Sequence, residues 1–229
     1  VKMNPGNCPL CNNADPYHFF RSTRKNLERD YCKCPSCDLI FVPSRFHLSK
    51  EDEKQRYLLH NNDPNDPRYR KFLSNLVNVL MPKLKQGSRG LDYGAGPGPA
   101  LAYMARQSGF TMDTYDPFFQ PDRSVLLKKY DFVTCTETAE HFSLPRKEFT
   151  TLDTLLNEGA WLGIMTSLNY DSSLFSEWHY HHDPTHIAFY SENTMRYISE
   201  TFGWMVSFPA KNIVTFQKPV PLKTSTTTL

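Results

Sequence analysis

A glycine-rich turn between a short apolar strand and a helix constrains the fold of this chain more than any other feature. Residues 90–109 read GLDYGAGPGPALAYMARQSG, which predicts a strand, a turn rich in Gly and Pro, and a helix that ends at Gly109. A second strand, FTMDTYDPFF, follows and carries Asp116 near its end. A β-α-β opening with an acidic residue after the second strand is the arrangement that holds a ribose. We therefore predict an α/β fold with a Rossmann-like, doubly wound sheet.

The turn does not fit a dinucleotide. Its glycines are Gly94, Gly96 and Gly98, and position 99 is proline, so the G-x-G-x-x-G fingerprint for a pyrophosphate is absent. The stretch LDYGAGPG instead resembles motif I of class I S-adenosylmethionine-dependent methyltransferases, D/E-x-G-x-G-x-G. Their cofactor carries no phosphate, and its close approach to the backbone is what favours glycine there.

The resemblance implies how S-adenosyl-L-methionine would be held. Asp92 and the 94–98 turn would flank its methionyl part, Asp116 would bind the ribose hydroxyls, and Phe118 would cover the adenine. In such enzymes the segment before the first strand often folds over the cofactor, although the Asn-, Asp- and Pro-rich stretch 57–69 is equally compatible with an ordinary linker. The implied cofactor contacts are Asp92, Gly94, Ala95, Gly96, Gly98, Asp116, Phe118, Thr136, Glu137, Tyr57 and Asn61.

Later segments continue the resemblance. KYDFVTCTETAEHF resembles the fourth-strand motif of these enzymes, with Glu137, Glu140 and His141 at its carboxyl end, where open α/β sheets bind ligands. EGAWLGIMTSL resembles the fifth strand. Only 14 residues separate Asp116 from Asp131, so we expect the third strand of the family to be stunted or missing.

Five of the six cysteines lie within the first 37 residues. CPLC contributes Cys8 and Cys11, and CKCPSC contributes Cys32, Cys34 and Cys37. Two C-x-x-C pairs about 15–20 residues apart are typical of a four-thiolate zinc site. The repeated C-P-x-C pattern favours Cys34 and Cys37 over Cys32, and buried idle thiols or redox chemistry are the alternatives. We expect one structural zinc, because four cysteine ligands leave no open position for water.

The cysteine head, the motifs and a histidine-rich loop together resemble a bacterial group of small zinc-ribbon methyltransferases. The resemblance implies a zinc-ribbon head at 1–45 and a linker or cofactor lid at 46–68. The methyltransferase domain would span 69–218, and residues 219–229 would form a disordered tail. The resemblance does not identify the substrate.

The histidine-rich loop HYHHDPTH occupies residues 179–186. It follows the fifth strand, so we expect it at the carboxyl edge of the sheet, beside the sulfonium. In a loop, His181, His182, Asp183 and His186 could converge on a metal ion. A structural, hydrogen-bonded loop is a second interpretation, and a role facing the methyl acceptor is the third.

The chemistry favours the third interpretation. Methyl transfer from a sulfonium needs no metal, whereas an O–H or C–H acceptor must lose a proton. Imidazole has a suitable pKa near neutrality. We therefore expect His186 or His141 to be the general base, with Asp183 orienting a ring, and we expect His179 and His181 to face solvent.

The composition limits the classes of molecule with which this chain is expected to interact. A formal net charge of +2 provides no basic field for nucleic acid or an anionic membrane surface. No apolar run approaches the ~18 residues that span a bilayer, and the N-terminal residues lack the apolar segment of a signal peptide. Cysteines at metal-binding spacing suit a reducing cytoplasm. We expect a cytoplasmic enzyme with a small-molecule methyl acceptor; no pattern indicates the oligomeric state.

Two other functions stay open at this point. The first is an RNA-modifying methyltransferase whose head grips RNA through the basic cluster Arg21, Arg24, Lys25 and Arg29. The second is a non-catalytic adaptor that binds the cofactor and uses the head to bind a partner protein.

Overall fold

The computed structural model describes residues 6–59, 63–169 and 171–221, and its strands form two sheets. The smaller sheet consists of β1 (Tyr17–Ser22), β2 (Arg29–Lys33), β3 (Ile40–Phe41) and β8 (Ala188–Phe189). These strands are antiparallel and lie in the order β1–β2–β3–β8. Three of them belong to the predicted head, whereas β8 follows the histidine-rich loop.

Apolar burial explains why β8 joins the head. Ile40 pairs with Phe189 in the sheet, and the N–H of Val42 donates to the carbonyl of Ile187 at 2.9 Å. The side chains of these residues pack in one buried cluster with Phe175. The head sheet is therefore completed by a strand from the predicted methyltransferase segment.

The larger sheet has the predicted Rossmann-like character. Its strands β5–β4–β6–β7–β10–β9 lie side by side in that order, with bounds β4 Arg89–Tyr93, β5 Thr111–Tyr115, β6 Tyr130–Thr136, β7 Leu156–Met165, β9 Met205–Ala210 and β10 Ile213–Gln217. Strands β4 to β7 are parallel, and β10 runs antiparallel to both of its neighbours. The first strand of this sheet along the chain is β4; β5 pairs with it on one side and β6 on the other. Open α/β sheets bind ligands at such a switch point.

Helices cover both faces of this sheet. Their bounds are α1 Lys50–Tyr57, α2 Pro67–Leu80, α3 Ala100–Gln107, α4 Pro145–Leu155 and α5 Glu192–Phe202. Helices α2 and α3 bury one apolar cluster against the sheet, and α4 and α5 bury another that includes Phe149 and Ile198. The α/β fold with helices on two faces is confirmed.

The expected loss of the third strand is also confirmed. Residues 116–129 are all described, and they form only a bridge between Asp116 and Gln120 and a 3-10 helix at Arg123–Leu127. Strand β5 therefore lies at the edge of the larger sheet.

Helix α1 falls inside the predicted linker or lid at 46–68. Asn61, one of the predicted lid residues, lies outside the described residues, as does most of the predicted tail. Along the described parts of the chain, no helix is both long enough and apolar enough to cross a membrane.

Candidate cofactor and acceptor site

A cavity of about 1060 Å³ opens at the carboxyl ends of β4, β5 and β6. Helix α1 and the residues before it line one side, and the histidine-rich loop lines another. Among the predicted site residues, the cavity is lined by Tyr57, Asp92, Gly94, Ala95, Gly96, Asp116, Phe118, Thr136, Glu137, His141, Asp183 and His186.

The glycine turn forms the floor of the cavity. Gly94 and Gly96 have φ values of +81° and +64°, a backbone conformation that side chains disfavour. The N–H groups of Gly94 and Ala95 both donate to the carbonyl of Tyr115, at 2.8 and 3.1 Å. Gly98, in contrast, does not line the cavity, and its carbonyl accepts the N–H of Ala100 where α3 begins.

Asp116 ties the ends of two strands together at the cavity. One carboxylate oxygen accepts the N–H groups of Phe118 and Phe119 at 2.8 and 3.0 Å, and the other accepts the N–H of Gly96 at 3.0 Å. The residue is 7% exposed. Each carboxylate oxygen has two lone pairs, so the oxygen that accepts only the Gly96 N–H keeps one for a ligand hydroxyl.

Asp92 has a different environment. It is buried, and it accepts a hydrogen bond from the hydroxyl of Thr134 at 2.8 Å. Burial raises the pKa of its carboxyl to about 6. Its structural role is to join β4 to β6 beneath the glycine turn.

Glu137 is held in an unusual conformation at the end of β6. Its φ is +46°, and its N–H donates to the carbonyl of Met165 at 2.7 Å. Burial, with a further contribution from the Glu140 carboxylate, raises the pKa of Glu137 to about 9. A non-glycine residue in this region costs free energy, and such strain is concentrated at functional sites.

Tyr57 is the last residue of α1, and its ring lies between Phe118 and His141 in the cavity. It meets the ring of Phe118 at 5.7 Å and the ring of His141 at 5.1 Å, measured between centroids. Its hydroxyl donates to Glu53 at 2.6 Å. Tyr57 therefore covers part of the cavity, as a lid residue would.

Two of the predicted histidines meet in this cavity. The ring centroids of His141 and His186 are 4.9 Å apart. Nδ1 of His141 lies 3.0 Å from the carbonyl of Thr185, and Nδ1 of His186 lies 2.7 Å from the carbonyl of Tyr180. A carbonyl can only accept, so each Nδ1 carries a proton, and in the neutral ring it is Nε2 that has the lone pair. Burial lowers the pKa of His186, which favours its neutral form.

Glu140 lies directly behind the histidines. It is fully buried, and its carboxylate accepts hydrogen bonds from the hydroxyls of Thr166 and Tyr180 at 2.9 and 2.5 Å. One ligand atom each from Glu140, His141 and His186 lies within 4.8 Å of the others. All three are acceptors, so the group is suited to a proton or to a metal ion.

Asp183 fixes the histidine-rich loop to α1. One of its oxygens accepts two hydrogen bonds from the guanidinium of Arg56, at 2.8 and 3.1 Å, and the other accepts the hydroxyl of Thr185 at 2.6 Å. Burial opposes ionisation, but these hydrogen bonds outweigh it and hold the pKa of Asp183 well below its usual range. The carbonyls that orient the two imidazoles belong to Tyr180 and Thr185, so the contribution of Asp183 is to anchor their loop.

The four predicted zinc ligands converge in the head. Sγ of Cys8 lies 3.5 Å from Sγ of Cys37, and Sγ of Cys11 lies 3.4 Å from Sγ of Cys34. All four sulfurs lie within 4.8 Å of one another, whereas Cys32 is buried on β2 outside the group. Four thiolates about 2.3 Å from one tetrahedral zinc would be about 3.8 Å apart. The sulfur positions therefore fit one zinc ion.

A protein-family model for the methyltransferase domain matches residues 66–207, more than half of the chain. The chain belongs to the methyltransferase-domain family. A search of curated proteins found no match. Strands β4 to β7, the glycine turn and the histidine-rich loop lie within the matched residues, whereas β10 and helix α1, which lines one side of the cavity, lie outside them.

Solved structures resemble this methyltransferase in fold. Phosphoethanolamine N-methyltransferase 2 of Haemonchus contortus, solved with S-adenosyl-L-methionine, is 12% identical over 74% of this chain and 57% of its own, with a TM-score of 0.48. Magnesium protoporphyrin IX methyltransferase of Synechocystis, with the same cofactor bound, is 15% identical over 74% of this chain and 92% of its own, with a TM-score of 0.47. Membership of the family depends on the family model alone.

One prediction about the loop of this methyltransferase is wrong. His181 does not face solvent: it is 2% exposed, and its ring stacks on Phe175 with centroids 5.0 Å apart. It also meets the ring of Tyr31 from the head at 5.4 Å. The aromatic cluster between the head and the loop therefore buries His181, whereas His179 is exposed as expected.

The structure also removes one member of the basic cluster considered for RNA. Arg29 is 2% exposed and donates to carbonyls of the histidine-rich loop rather than facing solvent. A sequence pattern gives no sign of this inward orientation, since arginine is rarely buried. Glu140 was noted in the sequence beside His141, but only the fold brings the hydroxyl of Tyr180 to it.

Proposed function

We propose that this methyltransferase transfers the methyl group of S-adenosyl-L-methionine to a small-molecule acceptor, with His186 or His141 as the general base. The observation that carries the proposal is the pair of imidazoles in the cavity, both with Nδ1 bonded to a carbonyl and both with Nε2 free to accept a proton. The cofactor, when bound, supplies an activated methyl group on a sulfonium.

The cofactor half of the cavity is the region around the glycine turn. The positive φ values of Gly94 and Gly96 support close approach of a ligand to the backbone. Asp116 is the proposed partner of the ribose hydroxyls, and Phe118 the proposed cover of the adenine. Tyr57 meets Phe118 on one side and His141 on the other, and these contacts support a role in separating the cofactor from solvent.

The acceptor half is the region beside the two imidazoles. Nε2 of one histidine would take the proton of the acceptor as its oxygen or carbon bonds to the methyl group. The bond between that methyl group and the sulfonium sulfur would break, and its electron pair would stay on the sulfur of S-adenosylhomocysteine. The buried carboxylate of Glu140 lies within 4.8 Å of both histidines. Its negative charge stabilises the imidazolium that forms, because charges interact strongly where water is excluded.

A small acceptor fits the size and charge of the protein. Ligand cavities in proteins span about 300–1,000 Å³, so a cavity of about 1060 Å³ can hold the cofactor with a small molecule beside it. The net charge of +2 is too small to provide a phosphate-binding field. The inward orientation of Arg29 further weakens the RNA alternative.

We propose that Cys8, Cys11, Cys34 and Cys37 hold one structural zinc. The convergence of their sulfurs supports this ligand set, and so does the exclusion of Cys32 from the group. Four protein ligands complete a tetrahedral site, so the ion would stabilise the head and would not take part in catalysis.

The test compares His186→Ala and His141→Ala with His179→Ala, an exposed histidine of the same loop. Formation of S-adenosylhomocysteine is measured with a panel of small hydroxyl-bearing acceptors, together with S-adenosylhomocysteine affinity, metal content and melting temperature. We expect at least one of the first two variants to lower the rate by about 10²–10⁴, the usual contribution of a positioned general base. Cofactor affinity should stay within a few-fold of wild type, and the control should behave as wild type.

Other outcomes would contradict the proposal in distinguishable ways. A second metal ion, lost on His186→Ala, would show that the histidines and Glu140 ligate a metal. A lower melting temperature with unchanged activity per folded molecule would show that the loop is only structural. A salt-dependent shift of RNA in a gel would favour the RNA alternative. Absence of turnover across the panel, with intact cofactor binding, would favour the adaptor.

A further inference from the structure

The head supplies a buried arginine to the loop that carries His186. Arg29, on β2, is 2% exposed. Its Nη1 donates to the carbonyl of Pro184 at 2.8 Å, and its Nη2 lies 2.9, 2.9 and 3.0 Å from the carbonyls of His181, Asp183 and His186. One guanidinium therefore gathers four carbonyls of the loop.

The remaining donor of the guanidinium strengthens this arrangement. Nε of Arg29 donates to the hydroxyl of Tyr31 at 2.7 Å, and that hydroxyl donates to the carbonyl of His181 at 3.0 Å. Buried carbonyls without a donor are costly. Without Arg29, the carbonyls of Pro184 and His186 would lose their donor, whereas those of His181 and Asp183 would keep the Tyr31 hydroxyl and the His186 N–H.

The same loop orients both candidate bases. The carbonyl of Tyr180 accepts the Nδ1 proton of His186, and the carbonyl of Thr185 accepts the Nδ1 proton of His141. The carbonyls that Arg29 binds belong to neighbours of Tyr180 and Thr185 on the chain. Arg29 therefore holds the same short segment whose carbonyls accept the two Nδ1 protons.

We propose that Arg29 is a positioning residue through which the cysteine-rich head sets the orientation of His141 and His186. The head would then support methyl transfer without contacting either the cofactor or the acceptor. The expected effect of Arg29 on the rate of methyl transfer rests on the proposed function. The orientation itself is measurable without any acceptor.

The test uses the full chain, zinc-loaded and saturated with S-adenosylhomocysteine. Nitrogen NMR of the histidine rings reports tautomer and pKa in wild type, Arg29→Lys and Arg29→Met. Lysine keeps the charge but lacks the planar fork that reaches several carbonyls. Arg21→Met is the matched control, because Arg21 is 53% exposed and its partner Asp30 retains Arg45.

In both Arg29 variants we expect a changed tautomer or a shifted titration in at least one of the rings of His141 and His186. Affinity for S-adenosylhomocysteine should stay within about 3-fold of wild type. The Arg21 variant should keep the wild-type signals. Guanidinium ion should partly restore the wild-type ring signals in a third variant, Arg29→Ala, when it is added at concentrations that do not denature the wild type. A merely structural role predicts a lower melting temperature with unchanged tautomers and titration in Arg29→Lys, and that result would overturn the inference.

The proposed function can fail separately. If the Arg29 variants alter the rings while His186→Ala and His141→Ala retain full activity, the positioning stands and the general-base assignment is wrong. If the histidine variants lose activity while the rings are unchanged in Arg29→Lys, the base assignment stands and the positioning role of Arg29 is wrong.

Discussion

Gly94→Ala tests the glycine turn at a position where the structure leaves no room for a side chain. A Cβ there would lie 2.2 Å from Cγ2 and 2.4 Å from Oγ1 of Thr138, and the backbone φ is +81°. A left-handed conformation costs an L-residue about 1–2 kcal/mol, and overpacking typically adds about 1–3 kcal/mol. The expected total cost in free energy is about 2–5 kcal/mol. It is divided between the free energy of unfolding and the free energy of cofactor binding.

Calorimetry with S-adenosylhomocysteine measures the binding share of this cost. The turn must shift to relieve the clash, and its N–H groups at Gly94, Ala95 and Gly96 would then move away from Tyr115 and Asp116. We expect affinity to fall at least about 10-fold, equivalent to 1.4 kcal/mol. The melting temperature should fall by several degrees, because a loss of about 1 kcal/mol in the free energy of unfolding lowers it by about 2–4 °C in a protein of this size.

Gly203→Ala is the control. Gly203 ends α5 at φ +68°, and a Cβ there would meet nothing within 4 Å. It should lower the melting temperature by the φ cost alone, with no steric part, and leave cofactor affinity unchanged. Adding Thr138→Ala to Gly94→Ala should recover most of the steric part of the loss, since only Cβ at position 138 would stay close, at 2.9 Å, but not the part due to φ. If Gly94→Ala binds S-adenosylhomocysteine as tightly as the Gly203 variant does, the turn is not a cofactor contact.

Three further predictions concern the metal, the ribose and pH. Metal analysis should find one zinc per chain, lost in Cys34→Ser and retained in Cys32→Ser; the reverse pattern would show that the ligand assignment is wrong. Asp116→Ala should weaken S-adenosylhomocysteine binding by about 1–3 kcal/mol, through unpaired ribose hydroxyls, and unchanged affinity would place the ribose elsewhere. Because a neutral imidazole accepts the proton and burial lowers the pKa of His186, the rate should rise with pH below about 6.5 and be level from pH 7 to 8. A midpoint above 7 would exclude His186 as the base.

Patterns within a few neighbouring residues predicted structure well. The C-P-x-C repeats separated the four converging sulfurs from Cys32, since each turn is defined by residues within it. The strand, glycine turn and helix were visible for the same reason. The short distance between Asp116 and Asp131 correctly indicated the missing third strand, because a strand with its crossover needs more chain.

Features that depend on distant packing were not predictable in this way. His181 was expected at the surface, yet aromatic rings from the head enclose it. Arg29 was expected among surface cations, yet the four carbonyls that it binds lie 152 to 157 residues away in sequence. Strand β8 is two residues long, and only the exposed edge of β3 gives it a partner. No local periodicity records such contacts.

The pairing of β3 with β8 has a consequence for synthesis on the ribosome. At about 5–20 residues per second, on the order of 10 s would pass between translation of Phe41 and of Ala188. During that time the nascent head can gather its cysteines, but the edge of β3 has no partner and its apolar side chains lack the cover of Phe175 and Phe189. Open strand edges invite pairing with other chains. The head is therefore synthesised before the methyltransferase segment but completed only after most of that segment has been translated.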